Sequence, residues 1–385
     1  MQTQAMSYVE AIDGAAVVPV LRAWRAAHPA SGVIALVPEK EREKVERLQA
    51  ICTDERTPLA GGVFPALVVR GSFSDAGAWL LRVNEMPPPV LVDLPQGDGE
   101  LGPAAAAIAD RLAAQLQVAG DLALLLLFDA IFPRVGSLLD ELYLRLANRV
   151  HYMGANAGSE TFKPIPCLFD ASRFVQGGVL ALALRRSRGA VLEHGYRVPA
   201  RLITATSTEG NRIVQIDWRP AFEVYQTMAH LLHGVTIDRE SFYRSAVHFP
   251  FGIVRANGTI VVRIPVALEE DGSLRCAGEV PANSVLALLA APLVDSMHTV
   301  DGLVRGLGEL EGPLGGRELL LFYCAGRRLH LGIPGAEVEV RELQRRSEAA
   351  QVAGALSLGE IGSTREWSYP LFHNATLVVN TWGAP

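Results

Sequence analysis

The longest apolar run in the chain, residues 122–128 (LALLLLF), limits what the rest can be. It is far shorter than the roughly 20 residues a membrane-spanning helix needs. It therefore reads as a strand buried on both faces, which sits only inside a layered domain. Residues 32–37 (GVIALV) read the same way and lead into a charged helix over 39–50. Residues 61–69 are strand-like with a kink at Pro65. Residues 90–94 are another strand, closing near Asp93 before a Pro/Gly loop. Helical spacing marks 103–118 and 135–148, the latter with Leu138, Leu139, Leu142 and Leu146 on one face. Strands are predicted near 149–156, 178–184, 201–207 and 212–216.

At residues 219–233 apolar side chains recur at helical spacing, with Pro220 suited to the first turn and Gly234 to a C-terminal cap. This places a domain boundary at 217/218, giving domains 1–217 and 218–385. Beyond it come strands near 258–268 and 284–290 and a helix near 292–306. Then follow a strand at 318–324, a helix at 335–351, and strands at 354–361 and 374–380. Few clean β-α-β units and no internal repeat stand out. The expectation is an α+β fold: two associated domains with twisted mixed or antiparallel sheets and outer helices. An αββα layering is preferred by analogy.

The 385 residues are 49% hydrophobic and 20% charged, which excludes a disordered chain. A formal net charge of −6 argues against nucleic acid as a partner. Cys52, Cys167, Cys276 and Cys324 stand far apart, so neither a zinc ribbon nor a disulfide scaffold is indicated. No secretory signal is visible, so a cytoplasmic protein with no membrane partner is expected. There is no P-loop, no dinucleotide fingerprint, no G-x-S-x-G elbow and no H-E-x-x-H.

Four groups of motifs carry a resemblance. They are LAGGVFPALV (59–68); GANAGSE (154–160) with QGGVLALAL (176–184) and EHGYRV (193–198); TEGNRIVQIDWRPAFEVY (208–225); and YCAGRR (323–328) with GALSLGEIGS (354–363) and FHNATLVV (372–379). Their succession, from about residue 30 to 380, resembles the FIST family of sensory proteins, with an N-terminal and a C-terminal FIST region. The resemblance implies a stand-alone bacterial input protein for signal transduction. Such a protein binds a small ligand, such as an amino acid, and signals through a separate partner, such as a histidine kinase. Part of the family resembles haem-holding nitric oxide sensors.

Candidate ligand-binding residues follow. His194, Gly195 and Arg197 lie in EHGYRV, where a neutral imidazole suits iron or a carboxylate. Cys324 beside arginines suits a thiolate, and Arg327 suits an anion clamp. Glu360, between Gly359 and Gly362, suits an ammonium or guanidinium. His373, Asn374 and Thr376 open the last strand, with Asn374 and Thr376 on one face and Asn374 offering donor and acceptor. Beside each stands a plainer reading: a loop-bonded His194, a buried hydrophobic Cys324, a Glu360 paired in its turn, an Asn374 tying the strand down.

His230 and His233 share a helix face without a third metal ligand. His151 and His248 are further axial candidates for haem. Arg185–Arg188 reads as a solvated turn. Asp93 and Asp129 end strands but form no dyad. A non-catalytic small-ligand sensor therefore leads, haem-based gas sensing comes second, and an enzyme with a Cys324 nucleophile is third.

Overall fold

The structure is a computed structural model describing residues 4–97, 99–117, 121–185, 188–289, 295–362 and 369–383. Its plan is a β-α-β unit used three times. In the first, strand Gly32–Pro38 is followed by a helical segment ending at Asp54 and a parallel strand, Leu59–Phe64. In the second, Leu122–Asp129, helix Val135–Leu146 and parallel strand His151–Ala157 repeat the path. In the third the elements are Glu318–Cys324, helix Ala325–Ser347 and Gln351–Ser357.

Each parallel pair is flanked by antiparallel strands: Ala78–Val83 beside the first unit, Gly178–Arg185 beside the second and Leu377–Trp382 beside the third. The other edge is filled by a hairpin from a different unit. The hairpin after the first unit, Leu67–Val69 with Ser72–Ser74, joins the third sheet. The hairpin after the second, Leu168–Asp170 with Phe174–Val175, joins the first sheet. Strands Glu360–Gly362 and Leu371–His373, after the third, join the second sheet. The exchange closes a ring.

Backbone hydrogen bonds seal the ring where the parallel strands end. Gly158 N–H donates to Val63 O (2.8 Å), Leu356 N–H to Ala66 O (2.8 Å), and Asn156 N–H to Gly359 O (2.7 Å). A glycine sits at the matching place in each second strand. A Cβ on Gly154 would stand 1.9 Å from Leu126 O, and one on Gly354 1.9 Å from Leu321 O. No side chain fits there, so the motifs G-A-x-x-x-x-E at 154 and 354 mark the same turn of the same unit.

Alternation along each strand divides the core. Leu125, Leu127, Leu320 and Phe322 face a central cluster shared by all three sheets. Leu124, Leu126 and Phe128 face helices Gly102–Leu116 and Val135–Leu146. Leu319, Leu321 and Tyr323 face helices Ser296–Glu311 and Ala325–Ser347. Residues 203–288 form a satellite with two small antiparallel sheets, helix Ala221–His233 and its own core around Tyr225 and Phe251. The position 217/218 falls inside this satellite, between strand Arg212–Ile216 and the helix that packs on it.

The α+β class is as expected, with three large sheets around one core rather than two face to face. Three β-α-β units, where few were expected, are the main correction. They are hidden because each unit's sheet is completed by strands distant in sequence. Helix Gly14–Ala27, capped by Asp13 accepting from Ala16 N–H (2.9 Å), was masked by Pro19. The helix expected at 335–351 begins at Ala325. Gly332, at φ 72°, interrupts it and resembles a loop in the sequence.

Candidate functional site

The C-terminal ends of parallel strands leave a crevice where chain paths diverge. Here the crevice is a cavity of about 260 Å³ between the third unit, the second unit and the satellite. Cys324, Gly326 and Leu358 come from the third unit, and Glu160 and Phe162 from the second. Val247, His248, Ile264, Val266 and Ala277 come from the satellite, and Asn374 from the bend between strands Leu371–His373 and Leu377–Trp382, the strand expected from 374 beginning only at Leu377.

Asn374 is 1% exposed. Its Oδ1 accepts from Ile264 N–H (3.4 Å), and its Nδ2 has no hydrogen-bond partner. The amide orientation follows from that contact, because a flip would set two donors against each other. A buried, unpartnered amide donor costs free energy until something accepts from it.

Behind the Asn374 wall lies Glu360, fully buried. It accepts from Ser357 Oγ (2.5 Å) and Thr376 Oγ1 (2.6 Å). Burial pushes its carboxyl up to about 7, and hydrogen bonds from Ser357, Thr376 and Cys324 pull partly the other way. Cys324 Sγ accepts from Ala375 N–H (3.0 Å). Burial, with the Glu360 carboxylate beside it, drives the Cys324 thiol far above its ordinary range. The arginines that suggested a thiolate do not achieve one. No histidine is placed within hydrogen-bond distance of Sγ among the described contacts.

Arg327 points away from solvent altogether. Its guanidinium grips Glu339 with Nε (2.8 Å) and Nη2 (2.6 Å), both side chains fully buried. The remaining donors reach His194 O (2.5 Å), Ala375 O (3.4 Å) and Thr299 Oγ1 (3.2 Å). Every donor is taken, so Arg327 is a structural tie and not an anion clamp.

His194 accepts from Tyr196 N–H through Nδ1 (3.0 Å). Burial and then the Arg327 charge lower it to about 4, so the ring is neutral with its proton on Nε2. Gly195, at φ 70°, brings the chain against Thr299, whose Oγ1 a Cβ would meet at 2.1 Å. Arg197 is exposed and pairs with Asp295 (3.6 Å). His373 is 1% exposed, and burial, then His194 and nearby arginines, hold it well below its ordinary value. Of the nine residues singled out from sequence, Cys324 and Asn374 line the cavity. Glu360 and Thr376 support its wall, His194, Gly195, Arg327 and His373 are packed around it, and Arg197 stands exposed at the surface.

The cavity mouth is built from residues that carried no sequence signal together. Glu160 accepts a forked pair from Arg328 (2.9 and 2.8 Å), whose guanidinium lies 5.4 Å over the Phe73 ring. His248 Nδ1 meets His330 Nδ1 at 3.0 Å across the satellite boundary. Burial lowers both histidines, His330 to about 4. Arg244 is exposed at the rim.

Haem does not fit at His194 or within this cavity. His194 uses Nδ1 as an acceptor and carries its proton on Nε2, so neither nitrogen is free for iron. A cavity of about 260 Å³ lies just below the roughly 300–1,000 Å³ of drug-sized sites, too small for a macrocycle. Among the described residues no group of three or more metal-ligating side chains exists, and His233 stacks on Phe249 (5.0 Å). Asp93 pairs with Arg173, and Asp129 accepts from Ile131 and Gly177 N–H groups, so neither serves in a dyad. In the basic turn, Arg188 pairs with Asp121 (3.0 Å), while residues 186–187 lie outside the described residues. No described helix is long and apolar enough to cross a membrane.

By comparison with known families, residues 33–219 match the FIST N domain and residues 221–363 the FIST C domain. No curated protein matches the chain.

Proposed function

This chain belongs to the FIST family of sensory domains, and we propose that it is a non-catalytic input protein whose small ligand occupies the cavity between the third unit and the satellite. One observation carries the reading: an apolar cavity, open on one side, has Asn374 in its wall, and the buried Nδ2 of that side chain has nothing to accept from it among the described residues. Loss of such a partner is costly in a packed protein, and a ligand that supplies one is favoured. Ligand contacts on both bodies would couple occupancy to their contact at His248 and His330, and so to a separate signalling partner such as a histidine kinase.

The test is thermal unfolding of the purified protein with a panel of amino acids, carboxylates, lactones and ketones. It is repeated on Ala277→Phe, which fills the cavity. A stabilising compound whose effect vanishes in the filled variant is expected, because a ligand that binds only the folded state must stabilise it. No cavity-dependent stabilisation by any compound would sink the proposal. Haemin added to the same protein is expected to give no sharpened Soret band.

A further inference from the structure

The polar groups around the cavity divide into two kinds. At the mouth, Glu160 is forked by Arg328 and His248 meets His330, while Arg244 stands exposed at the rim with no ion pair among the described residues. Inside, the walls are hydrocarbon, from Val247, Ile264, Val266 and Leu358, and among the described lining residues the one buried side-chain atom without a partner is a neutral donor, Asn374 Nδ2. A zwitterion placed there would strip water from two charges and meet a counter-charge only at the solvent-exposed rim, in Arg244, with none among the interior residues, which is expensive. A hydrocarbon body with a single acceptor meets both features at once.

We propose that this site is built for a small, neutral, mainly apolar molecule bearing one carbonyl-type acceptor, such as a lactone or ketone, held by a hydrogen bond from Asn374 Nδ2. The proposal rests on the cavity being the sensory site and narrows its ligand class. The thiol of Cys324 lies on the same wall but is held by Ala375 N–H and Glu360, so the carbonyl is bound and not attacked. The satellite residues Ile264 and Val266 close over the alkyl part, and Ile264 N–H keeps the Asn374 amide turned so that Nδ2 remains the free donor.

The probes are γ-octalactone and 2-octanone, with L-leucine and L-glutamate as charged counterparts, titrated against wild type, Asn374→Ala and Ala277→Phe. The neutral probes are expected to bind wild type and to lose roughly threefold to tenfold in affinity in Asn374→Ala. The infrared carbonyl stretch of bound γ-octalactone is expected to move to lower frequency in wild type. This readout needs no variant and keeps the inference testable if Asn374→Ala folds poorly. Binding of the amino acids in place of the neutral probes would overturn the inference and leave the sensory cavity standing. Neutral-probe binding with an unshifted carbonyl stretch would also overturn it. If none of the four probes binds wild type, this ligand class falls. The sensory reading falls separately, only if the wider panel also shows no stabilisation that depends on an open cavity.

Discussion

Replacing Arg327 by methionine separates a structural arginine from a ligand clamp. Both members of the Arg327–Glu339 pair are fully buried, and after the substitution the Glu339 carboxylate keeps only the Tyr323 hydroxyl (2.5 Å) as a donor. Breaking a buried pair from one side costs about 3–5 kcal/mol, because a charge is left without compensation. Unfolding entropy runs near ~2.1 cal/mol/K per residue, so for 385 residues that loss lowers the melting temperature by about 4–6 °C. The assay is thermal unfolding followed by intrinsic fluorescence. Arg327→Met paired with Glu339→Leu removes the stranded charge and is expected to recover more than half of the loss. A single substitution that leaves the melting temperature within about 1 °C of wild type, yet abolishes ligand binding, would refute the reasoning and restore Arg327 as a clamp.

Further outcomes follow from the same geometry. The Glu360 carboxyl, raised from near 4.5 to about 7, binds a proton in the folded state that the unfolded chain has released. Stability therefore falls as pH rises from about 4.5 to 7, by about 3 kcal/mol, and Glu360→Gln is expected to flatten that fall in denaturant titrations. The four cysteines are free and buried, with Cys52 and Cys276 pushed up to about 12 and Cys167 and Cys324 also raised. Ellman's reagent at pH 8 should find no fast thiol until the protein is unfolded, and rapid labelling of Cys324 would revive the nucleophile reading. Gly354→Ala places a methyl on Leu321 O and should cost at least about 3 kcal/mol. Gly308→Ala, in open space on helix Ser296–Glu311, should stabilise by about 0.5–1 kcal/mol in the same melting assay.

The central strands at 32–37, 122–128 and 178–184 were legible because they are short and apolar throughout, whereas Ala78–Val83 and Phe251–Val254 were not read from the sequence. A strand buried on both faces needs no partner to declare itself. The exchange of hairpins was not legible, since a hairpin strand such as Leu67–Val69 carries no mark of which sheet it joins. The signal that could have shown the repeat was present in GANAGSE and GALSLGE, where equal spacing reflects equal packing. Arg327 and His194 misled for a physical reason. Their chemistry suits a ligand, and the protein uses the same donors and acceptors to satisfy its own buried groups. Arg328, His330 and Arg244 gave no joint signal, because only tertiary structure brings them to one mouth.

The ring of exchanged hairpins also sets an order of events during synthesis. The third sheet's hairpin strand Leu67–Val69 leaves the ribosome long before its neighbour Gln351–Ser357 exists. The second sheet likewise waits for Glu360–Gly362. Until the last part of the chain emerges, both carry open edges able to pair with a neighbouring nascent chain. A protein assembled this way can close its first sheet once Phe174–Val175 has emerged but completes the second and third only with the last part of the chain, and late truncations are predicted to leave open-edged sheets that aggregate.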